Sequence, residues 1–373
     1  MKILWITWKD KWHPWAGGAE LVCYEVVKRL IRDGHEVTLL TCGYPGAKQK
    51  ETIDGINIVR VGSSRYLHGF QALAYYIRHF RNTHDIVVEE VNGGAPYFAV
   101  FFGRQSKRFL LYHQLARINW LYEIPHPFSY FGYYLLVPLA TRLVSMAGVP
   151  VITVSESSRQ TLADHGLEAK KTHIISEGLE IEPVPVLEKV QKYERPTMLI
   201  FGGMRSMKRT IDQVKAFEHA KSMVPNLRLK VAGSSGGRYG KKVVAYIRQS
   251  FHANDIEYVG TVSQEEKIRL MQKSHVITVA SVEEGWGLIV TEANSQGTPA
   301  VVYDVAGLRD SVQHEKTGIV TDEHPQALAG GVVTLLRDKS KYDTLRRNAW
   351  QWSKKLTFEK CYQDVRSILE TRA

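Results

Sequence analysis

The chain has 373 residues, of which 44% are hydrophobic and 23% are charged. This length predicts two domains, and the composition excludes disordered, collagen-like and coiled-coil proteins. The formal net charge is +11: residues 1–182 hold 20 basic and 17 acidic residues, and residues 183–373 hold 29 and 21. The basic excess of the second half fits either an anionic ligand or a solvated surface. Nucleic-acid binding is disfavoured because no zinc finger, helix-turn-helix or aromatic RNA-binding signature accompanies the charge.

Three cysteines, Cys23, Cys42 and Cys361, are widely spaced and form no CxxC pair. A disulfide framework and a structural zinc site are therefore disfavoured, and we expect a cytoplasmic protein. The most apolar segment, 128–154, is interrupted by prolines, glycine and Arg142. It predicts a buried helix followed by a buried strand rather than a membrane span. Peripheral contact with the inner face of a membrane stays open.

The first half begins with a strand, a Gly17-Gly18 loop and a helix over 19–33, whose apolar residues recur at helical spacing. A strand over 36–41 completes a βαβ unit, which favours a parallel sheet. Further predicted strands in this half are 56–61, 85–89, 109–113, 149–154 and 172–175.

The second half begins after a proline-containing linker at 183–185. Strands and helices alternate again, so the second half predicts another βα-rich domain. Its predicted strands are 197–201, 227–232, 256–259, 275–279 and 299–303, and its predicted helices are 210–223, 239–251, 263–273 and 288–296.

The segment 281–293 carries the strongest functional pattern. Glu284 and Glu292 are separated by seven residues, and a glycine-aromatic-glycine turn lies between them at a strand-to-helix junction. The turn and the helix N-terminus can approach an anion, and a carboxylate can accept hydrogen bonds from a vicinal diol. Without the turn and the strand-to-helix junction, the simpler interpretation would be one glutamate in a surface loop and one helix glutamate in a salt bridge. The context favours a ligand site.

This segment resembles the EX7E motif of the retaining glycosyltransferases of family 4, also called group 1. The run 297–302, the turn 305–308 and Thr317-Gly318 are similar to later parts of the family pattern. The resemblance implies an α/β GT-B fold, in which two Rossmann-like domains with parallel sheets face each other across a cleft. Residues 1–182, joined by a C-terminal helix at 356–373, would form the acceptor side, and residues 183–355 the donor side.

In that family the first glutamate, here Glu284, approaches the donor sugar, and it is our principal catalytic candidate. Glu292 would bind the ribose hydroxyls of the nucleotide. The resemblance also assigns the turn around the first glutamate to the donor sugar and phosphate. The residues of this turn are Gly285, Trp286, Gly287 and Leu288.

A basic turn, Arg205 to Arg209, resembles the family's G-R-x-x-x-x-K stretch. Gly203 stands in place of the usual arginine if Lys208 is the lysine. We expect Lys208 and Arg205, and then Arg209, to contact the donor diphosphate through charge-assisted hydrogen bonds. The alternative is a solvated basic loop.

Two features of the first half also resemble the family. Gly17 and Gly18 match its N-terminal glycine loop and would contact donor phosphate. His113 ends the predicted strand 109–113, and related enzymes carry a histidine at a comparable place near the donor sugar. His113 is therefore the second catalytic candidate, and a structural histidine is the alternative. The aromatic segment 114–134 is either an acceptor platform or core.

The remaining matches are strand ends and turns. Gly233, Val259 and Gly260 resemble positions near the nucleotide base, although each could be a plain tight turn. Glu177 and Glu180 replace the usual Asn and Asp of an N-G-[IV]-D turn, and we interpret them as architectural.

These features predict transfer of a hexose from a UDP- or GDP-linked sugar to a hydroxyl of a glycan, a lipid-linked acceptor or a small molecule. We expect neither a metal nor a cofactor, because no D-x-D pair accompanies the motif. The alternative is a non-catalytic sugar-nucleotide or glycan-binding subunit with the same fold. A dinucleotide-dependent oxidoreductase is disfavoured because G-x-G-x-x-G follows neither first strand. The oligomeric state has no sequence signature.

Overall fold

The computed structural model describes residues 1–63, 67–91, 96–103 and 106–371. The chain divides into two compact units: Met1–Gly178 together with the segment from Thr357, and Leu179–Leu356. The last two residues of the predicted segment 356–373 lie outside the described residues. Each unit contains a mostly parallel sheet with helices, which is the predicted two-domain α/β architecture.

Eight strands form the sheet of the first unit within the described residues, in the order β3-β4-β2-β1-β5-β6-β7-β8. Neighbouring strands are parallel except β3 and β4, which form an antiparallel pair. The sequence analysis predicted β4 but not β3, because β3 is short and half-exposed. The strands are β1 Lys2–Ile6, β2 Glu36–Thr41, β3 Lys50–Ile53, β4 Ile56–Arg60, β5 Ile86–Glu90, β6 Lys107–Tyr112, β7 Val151–Thr153 and β8 Thr172–Ile174.

Helices alternate with the strands of the first unit along the chain. Short π-helical segments, Tyr76–Phe80 and Gly132–Leu136, continue α2 and join α4 to α5. The helices are α1 Gly18–Arg32, α2 His68–Tyr75, α3 Asn119–Glu123, α4 Phe128–Phe131, α5 Val137–Ala147 and α6 Glu156–Asp164.

The helical segment 128–147 corrects one expectation, because it is not a buried helix. One face packs in the core through Val137, Ala140 and Val144, and Trp120 packs against Gly132. The opposite face exposes large apolar side chains to solvent. Hydrophobic content alone does not distinguish the face that packs in the core from the face that is exposed. These exposed residues are Phe128, Tyr130, Phe131, Tyr134, Leu135, Leu139, Leu143 and Met146.

The second unit has six parallel strands among the described residues, in the order β11-β10-β9-β12-β13-β14. Its core lies between this sheet and the helices and includes the fully buried Phe217 and Tyr303. The strands are β9 Thr197–Phe201, β10 Arg228–Ala232, β11 Ile256–Gly260, β12 Val276–Val279, β13 Ala300–Tyr303 and β14 Gly318–Thr321. The helices are α7 Thr210–Met223, α8 Gly237–Gln249, α9 Gln264–Lys273, α10 Leu288–Ser295, α11 Leu308–Ser311, α12 Pro325–Arg337 and α13 Lys339–Ser353.

The last helix, α14 (Phe358–Glu370), packs on α1 in the first unit. Arg32 donates to Glu359 at 3.1 Å, and Arg366 pairs with Asp33 at 3.0 Å. A Cβ on Gly178 would lie 2.2 Å from the Phe358 ring, so a side chain at this position would push the helix away. Over the described ranges, no helix is both long and apolar enough to cross a membrane.

Candidate active site

The acidic loop of the second unit, 281–287, connects β12 to α10. Gly287 precedes the helix at φ +89°, and a Cβ on it would lie 2.8 Å from Leu308, so glycine suits this position. The backbone N–H of Glu284 donates to the Ala306 carbonyl at 3.0 Å. A Cβ on Gly307 would lie 2.3 Å from the Glu284 carbonyl oxygen. The turn at 305–307 therefore supports the acidic loop by close backbone contact.

The basic turn, 205–209, is bonded directly to the acidic loop. The Val282 N–H donates to the Met207 carbonyl at 2.8 Å. The Gln213 side-chain amide donates to the Lys208 carbonyl at 3.0 Å and is itself held by Thr278. With its backbone fixed in this way, Lys208 extends its ammonium group to the Glu284 carboxylate and forms an ion pair.

The charge state of Glu284 follows from its neighbours. Burial alone would raise the pKa of this carboxyl group, but the Lys208 ammonium, the Ser281 hydroxyl and the charge of Arg205 outweigh burial and lower the pKa. Ser281 donates to Glu284 at 2.6 Å. Glu284 is therefore ionised at neutral pH. Burial, with the charge of Glu284, raises the pKa of Glu283 to about 7.

The second motif carboxylate, Glu292, lies on α10 and is paired with Lys267 of α9 at 2.8 Å. Burial raises the pKa of Glu292, and the nearby Lys267 ammonium opposes that shift. Lys267 was missed by sequence reasoning. It lies 25 residues before Glu292 on an amphipathic helix, and no local motif marks it.

Arg209 lies in the basic turn but faces other residues. Its backbone has φ +44°, and its guanidinium group pairs with Glu323 at 2.6 Å and lies 5.9 Å from the centre of the Tyr303 ring. The structure therefore brings Lys208 and Arg205 towards Glu284, whereas Arg209 is directed to Glu323.

The predicted base-side residues lie where β9, β10 and β11 end. The Gly233 N–H donates to the Gly260 carbonyl at 2.7 Å, and the Tyr258 hydroxyl donates to the Gly233 carbonyl at 3.2 Å. A Cβ on Gly233 would lie 2.0 Å from the Gly202 oxygen. These contacts join Gly233 and Gly260, with the half-buried Val259 beside them, into one set of turns at the strand ends.

The turn that was predicted to contact the donor sugar contains Gly285, Trp286, Gly287 and Leu288. Trp286 is half-buried, and its indole N–H is enclosed without a hydrogen-bond partner among the described residues. Leu288 begins α10, so the N-terminal end of this helix lies next to the acidic loop.

The glycine loop of the first unit follows β1 and begins α1. The Gly17 N–H donates to the Glu20 carboxylate at 2.6 Å, and Glu20 pairs with Lys9 at 3.1 Å. A buried pair, Arg60 with Asp10 at 2.6 Å, fixes the preceding loop. The N-terminus of α1 thus already holds a carboxylate, and a phosphate at Gly17 and Gly18 would share this position with Glu20.

His113 follows β6 by one residue. Its Nε2 lies 2.7 Å from the buried Glu90 carboxylate at the end of β5, and its carbonyl accepts a hydrogen bond from Ser158 at 3.3 Å. Glu177, which we interpreted as architectural, is buried in the same region. The sequence analysis did not single out Glu90, which resembles an ordinary strand residue.

Two family models match almost the whole chain. "Glycosyltransferase Family 4" matches residues 16–183, and "Glycosyl transferases group 1" matches residues 187–352. An uncharacterized glycosyltransferase of Methanocaldococcus jannaschii is 24% identical over 96% of this chain and 94% of its own length.

Solved structures share the fold. Sucrose-phosphate synthase from Thermosynechococcus elongatus superposes with a TM-score of 0.78 at 18% identity and covers 98% of both chains. HepE from Anabaena, solved in complex with UDP and glucose, superposes with a TM-score of 0.72 at 17% identity and covers 99% of both chains. The matched family models define a sugar-transferring enzyme, and the solved structures share its GT-B fold. The chain belongs to glycosyltransferase family 4, the group 1 glycosyltransferases.

The close packing of Gly233 against Gly202 in the strand-end turns can be tested by substitution. Replacing Gly233 by Ala places a methyl group against the Gly202 carbonyl at a backbone φ of +136°. We expect the free energy of unfolding to fall by about 2 kcal/mol or more, measured by chemical denaturation. Gly203→Ala is the matched control, because its Cβ would meet no atom within 4 Å; a change of at most about 0.5 kcal/mol is expected. Equal losses in both variants would contradict the packing argument.

Proposed function

We propose that this enzyme is a retaining glycosyltransferase that moves a hexose from a nucleoside diphosphate sugar to a hydroxyl acceptor. The observation that carries the proposal is the junction of the basic turn and the acidic loop. There the Lys208–Glu284 ion pair and the Val282–Met207 backbone bond lie beside the first turn of α10. A cation, a carboxylate and the N-terminus of a helix are the groups that suit a sugar diphosphate.

The donor diphosphate would lie against Lys208, Arg205 and the amides that begin α10. As the bond to the sugar breaks, negative charge grows on the leaving phosphate, and these donors stabilise it without moving far. Lys208 is half-buried, so its charge is screened less than that of a surface lysine. In the donor complex Lys208 would contact phosphate as well as Glu284.

The two motif carboxylates would have different tasks. Glu284 is ionised and would accept hydrogen bonds from sugar hydroxyls while stabilising positive charge at the anomeric carbon. Glu292 would accept hydrogen bonds from the ribose hydroxyls, with Lys267 as its counter-ion. UDP is favoured as the nucleotide because HepE, which shares the fold, was solved with UDP and glucose. GDP remains the second choice.

For the stereochemistry, we propose attack by the acceptor hydroxyl on the face that the diphosphate leaves. The leaving phosphate would take the hydroxyl proton, so no protein side chain is assigned as a covalent nucleophile. Proton NMR of the first-formed product tests this step: an anomeric configuration equal to that of the donor supports retention, and the opposite configuration overturns it.

For the acceptor, we propose a lipid-linked sugar reached at the cytoplasmic face of a membrane. The support is the exposed apolar face of 128–146, where eight large apolar or aromatic side chains are exposed. Between Glu123 and Glu156 the chain has no acidic residue, and Arg142 is exposed. Aromatic and leucine side chains with a nearby cation suit the boundary of an anionic bilayer.

Donor binding can be measured directly. A donor that binds only the folded enzyme raises its melting temperature by mass action. We expect UDP-hexoses to raise it more than ADP-hexoses, and Glu292→Ala to lose most of the shift because the ribose hydroxyls lose their acceptor. Glu315→Ala, which removes a glutamate paired with Lys341 elsewhere in the second unit, should keep the shift. A full shift in Glu292→Ala would contradict the ribose assignment.

Transfer should depend on Lys208. We expect Lys208→Ala to lower kcat/KM by about 100-fold or more, because a donor to the leaving phosphate is lost, while circular dichroism shows a folded enzyme. Lys341→Ala removes an equally exposed lysine from an ion pair with Glu315 and serves as the matched control. Normal transfer by Lys208→Ala would overturn the phosphate assignment.

Membrane contact should depend on the exposed apolar face. The enzyme should sediment with vesicles of phosphatidylglycerol and phosphatidylcholine, and Leu135→Asp with Leu139→Asp should reduce the bound fraction several-fold because each charge resists burial in the bilayer boundary. Ile174→Asp replaces another exposed apolar residue of the first unit, with 39% of its surface exposed, and should bind normally. Equal binding by all three proteins would contradict the assignment of this face.

A further inference from the structure

A buried cluster of two carboxylates and one imidazole lies at the strand ends of the first unit. Glu90 ends β5, His113 follows β6 and Glu177 follows β8. Glu90 is 0% exposed and Glu177 is 3% exposed. Burying two carboxylates is costly unless a cation or hydrogen bonds compensate. The compensation therefore has to come from within the cluster or from its immediate neighbours.

Glu90 determines the orientation of the His113 ring. One carboxylate oxygen lies 2.7 Å from Nε2, and the other accepts a hydrogen bond from the Trp5 indole at 3.4 Å. Nε2 must therefore carry the proton that it shares with Glu90. Nδ1 has no hydrogen bond within the described residues, and the side chain retains 15% of its exposure. Nδ1 is thus the ring nitrogen available to a ligand.

The groups around the ring are mainly acidic. Glu20, paired with Lys9, adds a third carboxylate that raises the pKa of His113, and the charge of Glu177 also raises it. One Glu177 oxygen is enclosed without a hydrogen-bond partner among the described residues. The other titratable neighbours of these carboxylates are Cys23 of α1, Tyr97 and Cys361 of α14.

These contacts determine the direction in which the histidine titrates. Burial alone would lower the pKa of His113, but the hydrogen bond to Glu90 and the charges of Glu90, Glu177 and Glu20 outweigh burial and raise it. Burial raises the pKa of Glu177 to about 7, against the opposing charge of His113. As pH rises, ionisation of Glu177 adds negative charge near His113 and favours the protonated ring.

We propose that His113 acts as a cation, with Glu90 as the positioning residue that orients the ring and Glu177 as the second counter-charge. Nδ1–H then donates a charge-assisted hydrogen bond to an oxygen of the substrate bound at the first unit. Such a bond is about twice as strong as one from a neutral imidazole. This inference rests on the proposed function for the identity of the substrate, but the charge of the ring is a property of the enzyme alone.

Nitrogen-15 NMR of the histidine rings in the full-length enzyme, without substrate, tests the charge directly. His113→Gln identifies the signal by its loss. We expect His113 to titrate above the ordinary value of about 6.5, and Glu90→Gln, which keeps a hydrogen-bond acceptor, to lower its pKa by about one unit or more. Glu177→Gln should lower it by less. Glu156→Gln, in an exposed pair with Arg159, is the control and should leave it unchanged.

A His113 pKa at or below about 6.5 in the wild-type enzyme would overturn the proposal. A His113 pKa that does not change in Glu90→Gln would overturn it as well. If Glu90→Gln does not fold, the His113 pKa is measured in Glu177→Gln instead. An unchanged His113 pKa in Glu177→Gln would overturn the role of Glu177 as a counter-charge. Absence of transfer with every donor would count against the proposed function and leave the NMR result standing.

The pH profile of kcat/KM separates positioning from a merely structural role. Activity should be lost as pH rises through the raised pKa of His113, and in Glu90→Gln this loss should begin at lower pH, by the same shift that NMR measures. If Glu90→Gln lost the same fraction of activity at every pH, and the loss at high pH began at the wild-type pH, the positioning role would be contradicted.

Discussion

The ion pair between Lys208 and Glu284 is the interaction on which the candidate site depends. It joins two loops that are 76 residues apart in sequence, and the Val282–Met207 backbone bond holds the same junction. Removing either charge would leave the other partly buried without its partner, which is more costly than never having formed the pair. The junction therefore holds the two loops together. It also places opposite charges beside a helix N-terminus.

Both units place their polar chemistry where parallel strands end. In the second unit these are the turns after β9, β10, β11 and β12, and in the first unit the ends of β1, β5, β6 and β8. The carboxyl ends of parallel strands share one edge of a sheet, so residues distant in sequence meet there. The fold thus gathers buried charges at this edge, where Glu90, the last residue of β5, is fully buried.

Most of the key carboxylates have a partner from another element; the exception is Glu177, one oxygen of which has no hydrogen-bond partner among the described residues. Glu292 has Lys267, Glu90 has His113 and Trp5, and Glu20 has Lys9. Such pairing keeps the carboxyl groups in defined orientations despite their burial. A substrate that enters would therefore exchange contacts with existing partners rather than meet free charges, and selectivity would follow from how well its hydroxyl and phosphate groups replace them.

Periodicity and motif spacing are local properties of the chain, so the alternation of strands and helices, the two-domain α/β class and the paired glutamates were predictable from the amino-acid sequence. It did not reveal Lys267 or Glu90 as partners, the turn of Arg209 towards Glu323, or the solvent-exposed face of 128–146. Those features depend on which distant side chains meet and on which face of a helix finds a core, and only the tertiary packing decides both.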